Sequence, residues 1–227
     1  MIGQSPFFST ILNTLIHKLF RLIKERHMRI ILIGATGTIG KAVAKELGQR
    51  NEIVTAGRTS GDLIMDITDT ASIRNAFKKA GKFDAVISCA GHVKWAPFPE
   101  FTTEDYEFGL KDKLMGQVNL VLIGSEYIND GGSFTLSSGV TDHDPIPMGS
   151  SASMVACAIS GFVMAASLEM PRGQRLNVVS PGVIEEAMEN YGAFFRGHCP
   201  VPAARAALGY AKSVEGLQTG QTMRIVF

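Results

Sequence analysis

Glycines with the spacing of a phosphate-binding loop follow the first buried strand predicted in this chain. The loop Gly34-Ala35-Thr36-Gly37-Thr38-Ile39-Gly40 leads from that strand into a predicted helix. Its bare backbone allows a pyrophosphate to approach the helix N-terminus, where the N–H groups have no partner within the helix. The loop therefore predicts dinucleotide binding, and a purely structural glycine turn is the alternative. The residues expected to contact the dinucleotide are Gly34, Thr36, Gly37, Thr38, Ile39 and Gly40.

A positive charge follows the second predicted strand, at Arg58. A site specific for NAD places an acidic residue at this point, against the 2'-hydroxyl of the ribose, whereas a guanidinium suits a 2'-phosphate. Arg58 therefore favours NADP(H) over NAD(H) as the cofactor. The alternative is a solvated arginine, because arginine is common at exposed loop starts.

From Met28 onward, short apolar runs alternate with helical stretches. These predicted strands and helices must position the glycine loop and Arg58. The runs are continuous in Val, Ile and Leu, which indicates strands covered on both faces, as in a parallel sheet with crossover helices. We predict one domain over residues 28–227, a doubly wound parallel α/β sheet (Rossmann fold) with helices on both faces. The predicted strands are 29–33, 52–56, 63–65, 83–88, 133–136, 175–179 and 222–227, and the predicted helices are 38–49, 70–79, 103–127 and 150–169.

The composition is that of a soluble globular protein. Hydrophobic residues make up 45% and charged residues 19% of the 227 residues. Twenty-two basic and 21 acidic residues leave a formal charge of +1, so we expect no nucleic-acid partner. Cys89, Cys157 and Cys199 are odd in number and have no CxxC spacing, which argues against disulfides and a metal site. We expect free thiols, no bound metal and a cytoplasmic location.

Four more segments occur near the ends of predicted strands. They are Asp66-Ile67, Ser88-Cys89-Ala90-Gly91, Leu136-Ser137-Ser138-Gly139 and Asn177-Val178-Val179-Ser180-Pro181-Gly182-Val183. Their order and spacing resemble the short-chain dehydrogenase/reductase family, from Met28 essentially to the end of the chain. The resemblance implies a catalytic serine at Ser138 and a small-molecule substrate over the carboxyl edge of the sheet. It further implies cofactor contacts at Asp66, Ile67, Cys89, Ala90, Gly91, Pro181, Gly182 and Val183.

The family's catalytic Tyr and Lys have no counterpart in this chain. In the family the Tyr exchanges a proton with the substrate oxygen, and the Lys four residues later lowers the pKa of that Tyr. Counting from Ala152-Ser153, which resembles the family's Ala-Ser, puts Ser150 in the Tyr place and Met154 in the Lys place. Neither side chain can do this chemistry. No Tyr or Lys occurs from residue 139 to residue 169.

Two residues are candidates to replace the relay. Lys113 stands where the resemblance puts an Asn of the fourth helix, and it can supply a positive charge or a proton. His143 lies in the loop after Ser138, and an imidazole side chain can serve as a proton donor. The alternatives are an exposed helical lysine and a solvated loop histidine. The candidate catalytic residues are therefore Ser138, Lys113 and His143.

The first 27 residues form a separate arm with an apolar stripe at helical spacing and a mostly basic remainder. Such a helix can lie on an anionic membrane surface. We favour packing on the domain or on a partner subunit, or a true start at Met28, because amphipathic helices usually pack on protein.

Three functions remain open at this point. The first is an NADP(H)-dependent oxidoreductase with a rearranged proton relay, acting on a carbonyl or hydroxyl group. The second is a non-catalytic nucleotide-binding module or sensor, and the third is a non-redox lyase or isomerase. The resemblance also implies a homodimer or homotetramer, because relatives pair their fourth and fifth helices between subunits.

Overall fold

The structure is a computed structural model that describes residues 27–226. The described residues form one seven-stranded parallel sheet in the order β3-β2-β1-β4-β5-β6-β7. This confirms the predicted doubly wound α/β fold. Apart from His27, the predicted arm lies outside the described residues. The strands are β1 (Arg29–Ile33), β2 (Glu52–Gly57), β3 (Leu63–Ile64), β4 (Ala85–Ser88), β5 (Ser133–Ser137), β6 (Arg175–Pro181) and β7 (Thr222–Ile225).

Helices cover both faces of the sheet. In chain order they are α1 (Thr38–Leu47), α2 (Thr70–Ala80), α3 (Thr103–Gly109), α4 (Gly116–Gly124), α5 (Ser150–Ala166), α6 (Met188–Tyr191) and α7 (Ala203–Glu215). Successive residues of β1 point to opposite faces. Ile31 and Ile33 pack in a core with α2, α4 and α5, whereas Ile30 and Leu32 pack in a second core with α1 and α7. Both faces are therefore apolar and buried, as the continuous apolar runs predicted.

The helix predicted over residues 103–127 is helical without a break from Thr103 to Gly124, but it is not α-helical throughout. A π-helical turn, Leu110–Met115, separates α3 from α4, and α4 ends at Gly124. A π-helical turn adds a residue to the helical repeat, and such turns occur often at functional sites. Here the turn contains the buried Asp112 and the half-buried Lys113, so the change in helix type coincides with one of the candidate residues.

The remaining boundaries differ from the predictions by a few residues. Strand β6 continues through Pro181, and α5 ends at Ala166 before a short 3-10 turn. Among the described residues, the stretch Ser150–Glu169 is long and apolar enough to cross a membrane by length and composition alone. In this fold α5 packs against β5 and β6 as a core helix.

Candidate active site

The loop after β1 leaves the N-terminus of α1 open. Gly37 precedes the helix, no side chain caps it, and its first turn contains no acidic residue. The first helical hydrogen bond is donated by the Lys41 N–H to the Gly37 carbonyl oxygen at 2.9 Å, so the preceding N–H groups have no helical partner. A Cβ on Gly40 would lie 2.1 Å from the Gly34 carbonyl oxygen. The tight, uncapped turn fits a bound pyrophosphate.

The turn after β4 lies directly against this loop. A Cβ on Gly34 would lie 2.7 Å from the Cys89 carbonyl oxygen, and the Cys89 N–H donates to Ile33 at 2.8 Å. Burial raises the pKa of the Cys89 thiol to about 12, although hydrogen bonds from Tyr210 and Ser137 oppose the rise. Cys89 is therefore a packing residue at the base of the cofactor site and not a nucleophile.

The part of the site where Arg58 is predicted to meet the ribose is called here the adenosine end. It contains two cations, Arg58 and Lys111, and two carboxylates, Asp66 and Asp112. Arg58 is shared, with its Nε 3.4 Å from Asp66 Oδ2 and its Nη2 3.2 Å from Asp112 Oδ2. The Asp66 carboxylate accepts from the N–H and hydroxyl of Thr68, which lowers the pKa of Asp66, and Arg58 and Lys111 lower it further. A cavity of about 220 Å³ lies here, lined by Arg58, Asp66, Thr68, Phe108, Lys111 and Asp112. Ile67 is buried and packs against Gly116.

A second cavity of about 340 Å³, the cleft, is lined by two of the candidate catalytic residues, Ser138 and Lys113. Ser138 is 7% exposed, and its Oγ lies 3.5 Å from the Val179 carbonyl oxygen. Lys113 Nζ lies 3.5 Å from the Ser138 carbonyl oxygen. The structure thus brings Ser138 and Lys113 together with Pro181, Gly182 and Val183, the segment that the family resemblance places against the nicotinamide. The cleft is lined by Ile39, Val93, Trp95, Lys113, Ser138, Gly139, Val140, Thr141, Ala152, Ala156, Pro181, Gly182, Val183, Ile184, Ala187, Tyr191 and Phe195.

Lys113 packs against Gly91, and no larger residue fits at that position. Gly91 has a φ of 108°, and a Cβ there would lie 2.8 Å from the Cα of Lys113. Burial lowers the pKa of Lys113, and the neighbouring Asp112 carboxylate opposes that shift. A lysine in such a place can hold a positive charge and also release a proton more readily than an exposed lysine.

The helical phase of α5 corrects the assignment of the missing relay. Ala152 and Ala156, four residues apart, face the cleft. The Ser150 hydroxyl is instead 2.9 Å from the Tyr106 hydroxyl, and Met154 is 37% exposed. The assignment of Ser150 and Met154 to the Tyr and Lys places is therefore wrong by two residues. Counting along the sequence cannot fix this phase, because the length of the preceding loop sets it.

The structure does not bring His143 to the cleft. Its Nδ1 contacts the Asp142 carboxylate and lies 3.3 Å from Nε of Arg224, which extends from β7. Asp142 also accepts from the Ser160 hydroxyl at 3.1 Å. These contacts tie the turn after β5 to α5 and β7, so His143 has a structural place outside the cleft.

Two aromatic residues that sequence reasoning missed, Tyr191 and Phe195, form one wall of the cleft together with Trp95. Tyr191 and Phe195 come from the segment after β6, and the Trp95 and Tyr191 ring centroids are 6.0 Å apart. Asp112 and Lys111 at the adenosine end were also missed. No local pattern marks any of the four, because each meets its partners only in the tertiary structure.

Comparisons with known proteins agree with this architecture. The family profile described as Enoyl-(Acyl carrier protein) reductase matches residues 28–215. Oxidoreductase UcpA of Escherichia coli (strain K12) is 24% identical over 196 residues, which are 83% of this chain and 72% of UcpA. Protein lin1944 from Listeria innocua has a crystal structure with a TM-score of 0.85 and 46% identity, covering 87% of this chain and 98% of that one. A small-chain dehydrogenase in complex with NADPH has a TM-score of 0.79 and 23% identity, covering 88% and 97%. The chain belongs to the short-chain dehydrogenase/reductase family.

Proposed function

We propose that this protein is an NADP(H)-dependent oxidoreductase that acts on a carbonyl or hydroxyl group, with Lys113 in the role of the missing proton relay. One observation is central to the proposal. Lys113 Nζ lies 3.5 Å from the Ser138 carbonyl oxygen, in the same cleft as Pro181, Gly182 and Val183. A cation, a hydroxyl and the nicotinamide segment therefore converge, although α5 has lost both of its usual catalytic side chains.

The residues of the cleft divide the chemistry between them. The Ser138 hydroxyl hydrogen-bonds the substrate oxygen and orients it, while the Lys113 ammonium stabilises negative charge on that oxygen and donates the proton. Burial lowers the pKa of Lys113, which favours proton release during reduction. When bound, the nicotinamide supplies or accepts the hydride.

Arg58 supports the preference for NADP(H). Its side chain is 55% exposed at the adenosine end, where a 2'-phosphate can reach it. The structural relative with NADPH bound, cited above, has the same fold. We place the protein in the cytoplasm, because all three cysteines are free thiols.

The cleft favours a substrate with an apolar, ring-bearing body. Trp95, Tyr191 and Phe195 supply aromatic surface, and Ala152 and Ala156 leave space beside α5 where larger side chains would stand. Aromatic ketones and quinones combine such a body with an oxygen that can face Lys113.

We further propose that two copies pair through α4 and α5. These helices and the turns next to them expose apolar side chains, and contiguous exposed apolar patches mark protein contacts. The exposed side chains are Met115, Leu122, Met154, Met164 and Leu168.

Nucleotide titration and turnover test the proposed function. We expect NADPH to quench intrinsic fluorescence at lower concentrations than NADH, and NADPH to be consumed with at least one aromatic ketone or quinone. Lys113→Ala should lower turnover by about 100-fold or more with NADPH affinity retained. Lys79→Ala, an exposed lysine on α2, is the matched control. Turnover unchanged in Lys113→Ala would contradict the assigned role.

The second candidate function is a nucleotide-binding module without turnover. The presence of Ala152 and Ala156 at the cleft favours it, because neither side chain can act in proton transfer. Tight NADPH binding without turnover across the whole panel would establish this candidate in place of the first.

A further inference from the structure

One buried carboxylate, Asp112, lies between the adenosine end of the site and the catalytic cleft. Its side chain is 7% exposed. Oδ2 lies 3.2 Å from Arg58 Nη2, and Oδ1 accepts from the His92 N–H at 3.0 Å. The next residue in the π-helical turn is Lys113. The Asp112 side chain thus contacts Arg58, and Asp112 immediately precedes Lys113 in the chain.

We propose that Asp112 is a positioning residue that couples Arg58 to Lys113, so that a 2'-phosphate bound at Arg58 strengthens the positive charge on Lys113. The inference rests on the proposed function, since it assigns a second role to the same cofactor site. NADP(H) is then both the preferred cofactor and the one that favours the protonated form of Lys113, the proposed proton donor.

Arg58 is shared between two carboxylates. Its guanidinium bridges Asp66 at 3.4 Å and Asp112 at 3.2 Å. A 2'-phosphate brings a third anion to the same guanidinium, and arginine binds phosphate oxygens strongly because its donors form a planar fork. Arg58 must then give up part of its contact with the two carboxylates.

The effect on Lys113 follows from Coulomb's law. A carboxylate with one cation fewer beside it attracts the neighbouring ammonium more strongly, and the attraction is larger where water is excluded. Asp112 already opposes the lowering of the Lys113 pKa by burial. Withdrawing Arg58 from Asp112 therefore favours protonated Lys113, the form needed for carbonyl reduction.

The other charges near Lys113 are few. His92 Nδ1 lies 3.7 Å from Asp112 Oδ1, and Lys111 and Asp66 line the cavity at the adenosine end. From α5 the cleft receives only Ala152 and Ala156, and among the described lining residues Tyr191 is the other ionisable group. Asp112 is therefore the carboxylate placed to act on Lys113.

The pKa of Lys113 can be measured directly in three forms of the protein. Lysines are reductively methylated with ¹³C-formaldehyde, and the Lys113 signal is assigned by its loss in Lys113→Ala. We expect Asp112→Asn to lower the Lys113 pKa and Arg58→Gln to raise it. Asparagine keeps an acceptor for the His92 N–H, and Arg58→Gln leaves the buried carboxylate in place. Adding NADP⁺ to the wild type should raise the Lys113 pKa more than adding NAD⁺.

The control is Arg74→Gln, an exposed arginine on α2 that pairs with Glu126. Opposite shifts in Asp112→Asn and Arg58→Gln, with none in Arg74→Gln, support the coupling. A Lys113 titration that is the same in the wild type and both variants overturns it, and so do equal shifts with NADP⁺ and NAD⁺. If NADPH is nevertheless bound and consumed, the proposed function stands without the coupling. If neither nucleotide binds, the proposed function fails as well.

Discussion

The two halves of the carboxyl edge differ in what they are made of. The cofactor half, formed by the loops after β1, β4 and β6, consists mainly of backbone in contact with backbone, as where Gly34 lies against Cys89. The catalytic half lies on the face of α5 that lines the cleft, and it is formed by side chains. Ala152 and Ala156 are the α5 residues that line the cleft. The first half keeps the family's pattern, whereas the second has lost its catalytic groups.

This difference has a physical cause. A backbone cradle depends on residues without a Cβ, so substitution there strains the chain itself. A side chain that projects from a rigid helix into a cleft can be shortened without disturbing the fold around it. The chemistry of α5 can therefore change while the cradle persists, and a neighbouring element such as the turn with Lys113 can supply a new charge.

The largest effect is expected in the cradle, from Gly40→Ala. The added Cβ would lie 2.1 Å from the Gly34 carbonyl oxygen, whereas a Cβ on Gly37 would lie 3.5 Å from the same atom. We expect Gly40→Ala to cost about 3 kcal/mol and lower the Tm by about 6–12 °C. Gly37→Ala should change the Tm by no more than about 2 °C. Equal melting temperatures of the two variants in calorimetry would contradict a backbone-limited cradle.

A smaller effect is expected from filling the catalytic half with Ala156→Leu. The larger side chain occupies the space beside α5, so turnover of an aromatic ketone or quinone should fall about 10-fold to 100-fold, with NADPH affinity retained. Met154→Leu on the outer side of the same helix should leave both unchanged. Steady-state kinetics and fluorescence titration measure the two quantities, and loss of nucleotide binding in Ala156→Leu would show that the halves are not separable.

The pH dependence of stability tests the environment of Lys113. Burial lowers its native pKa below the ordinary value of 10.5, so between the two values the unfolded chain binds a proton that the native protein does not. The stability contributed by this group therefore rises with pH through that window. We expect Lys113→Met to be more stable than the wild type at pH 7, with a difference that shrinks as the pH approaches 10.5. Denaturant titrations at several pH values measure this, and a difference that grows with pH would contradict it.

The smallest effect is expected for the reactivity of Cys89, in the cofactor half, relative to two exposed cysteines outside the cleft. Burial raises the pKa of Cys89 to about 12, whereas Cys157 on α5 and Cys199 are exposed. At pH 8 we expect two thiols to react quickly with a chromogenic disulfide and Cys89 to react at least about 100-fold more slowly, because the thiolate is the reactive form. Cys89→Ser should remove only the slow phase. Three equal rates would show that the turn after β4 opens readily.

The sequence predicted the strands and the cofactor segments because their signals are local. Ile30–Ile33 form a continuous apolar run, and the glycines of the loop after β1 stand at fixed spacing before a helix. The π-helical turn at Leu110–Met115 gave no such signal, because a helix with one inserted residue has the same composition as a regular one. The prediction of one regular helix missed the π-helical turn for that reason.

The amino-acid sequence by itself determined the α/β fold, the phosphate loop and the absence of Tyr and Lys from α5. These are properties of residue type and short-range spacing, which the chain specifies without long-range contacts. The tertiary structure decided that Ala152 and Ala156 face the cleft, that His143 lies outside it, and that Lys113 lies beside Ser138. It also decided that Asp112 meets Arg58, 54 residues away. Such outcomes depend on helix phase, loop length and the meeting of distant segments, which are set only when the elements pack.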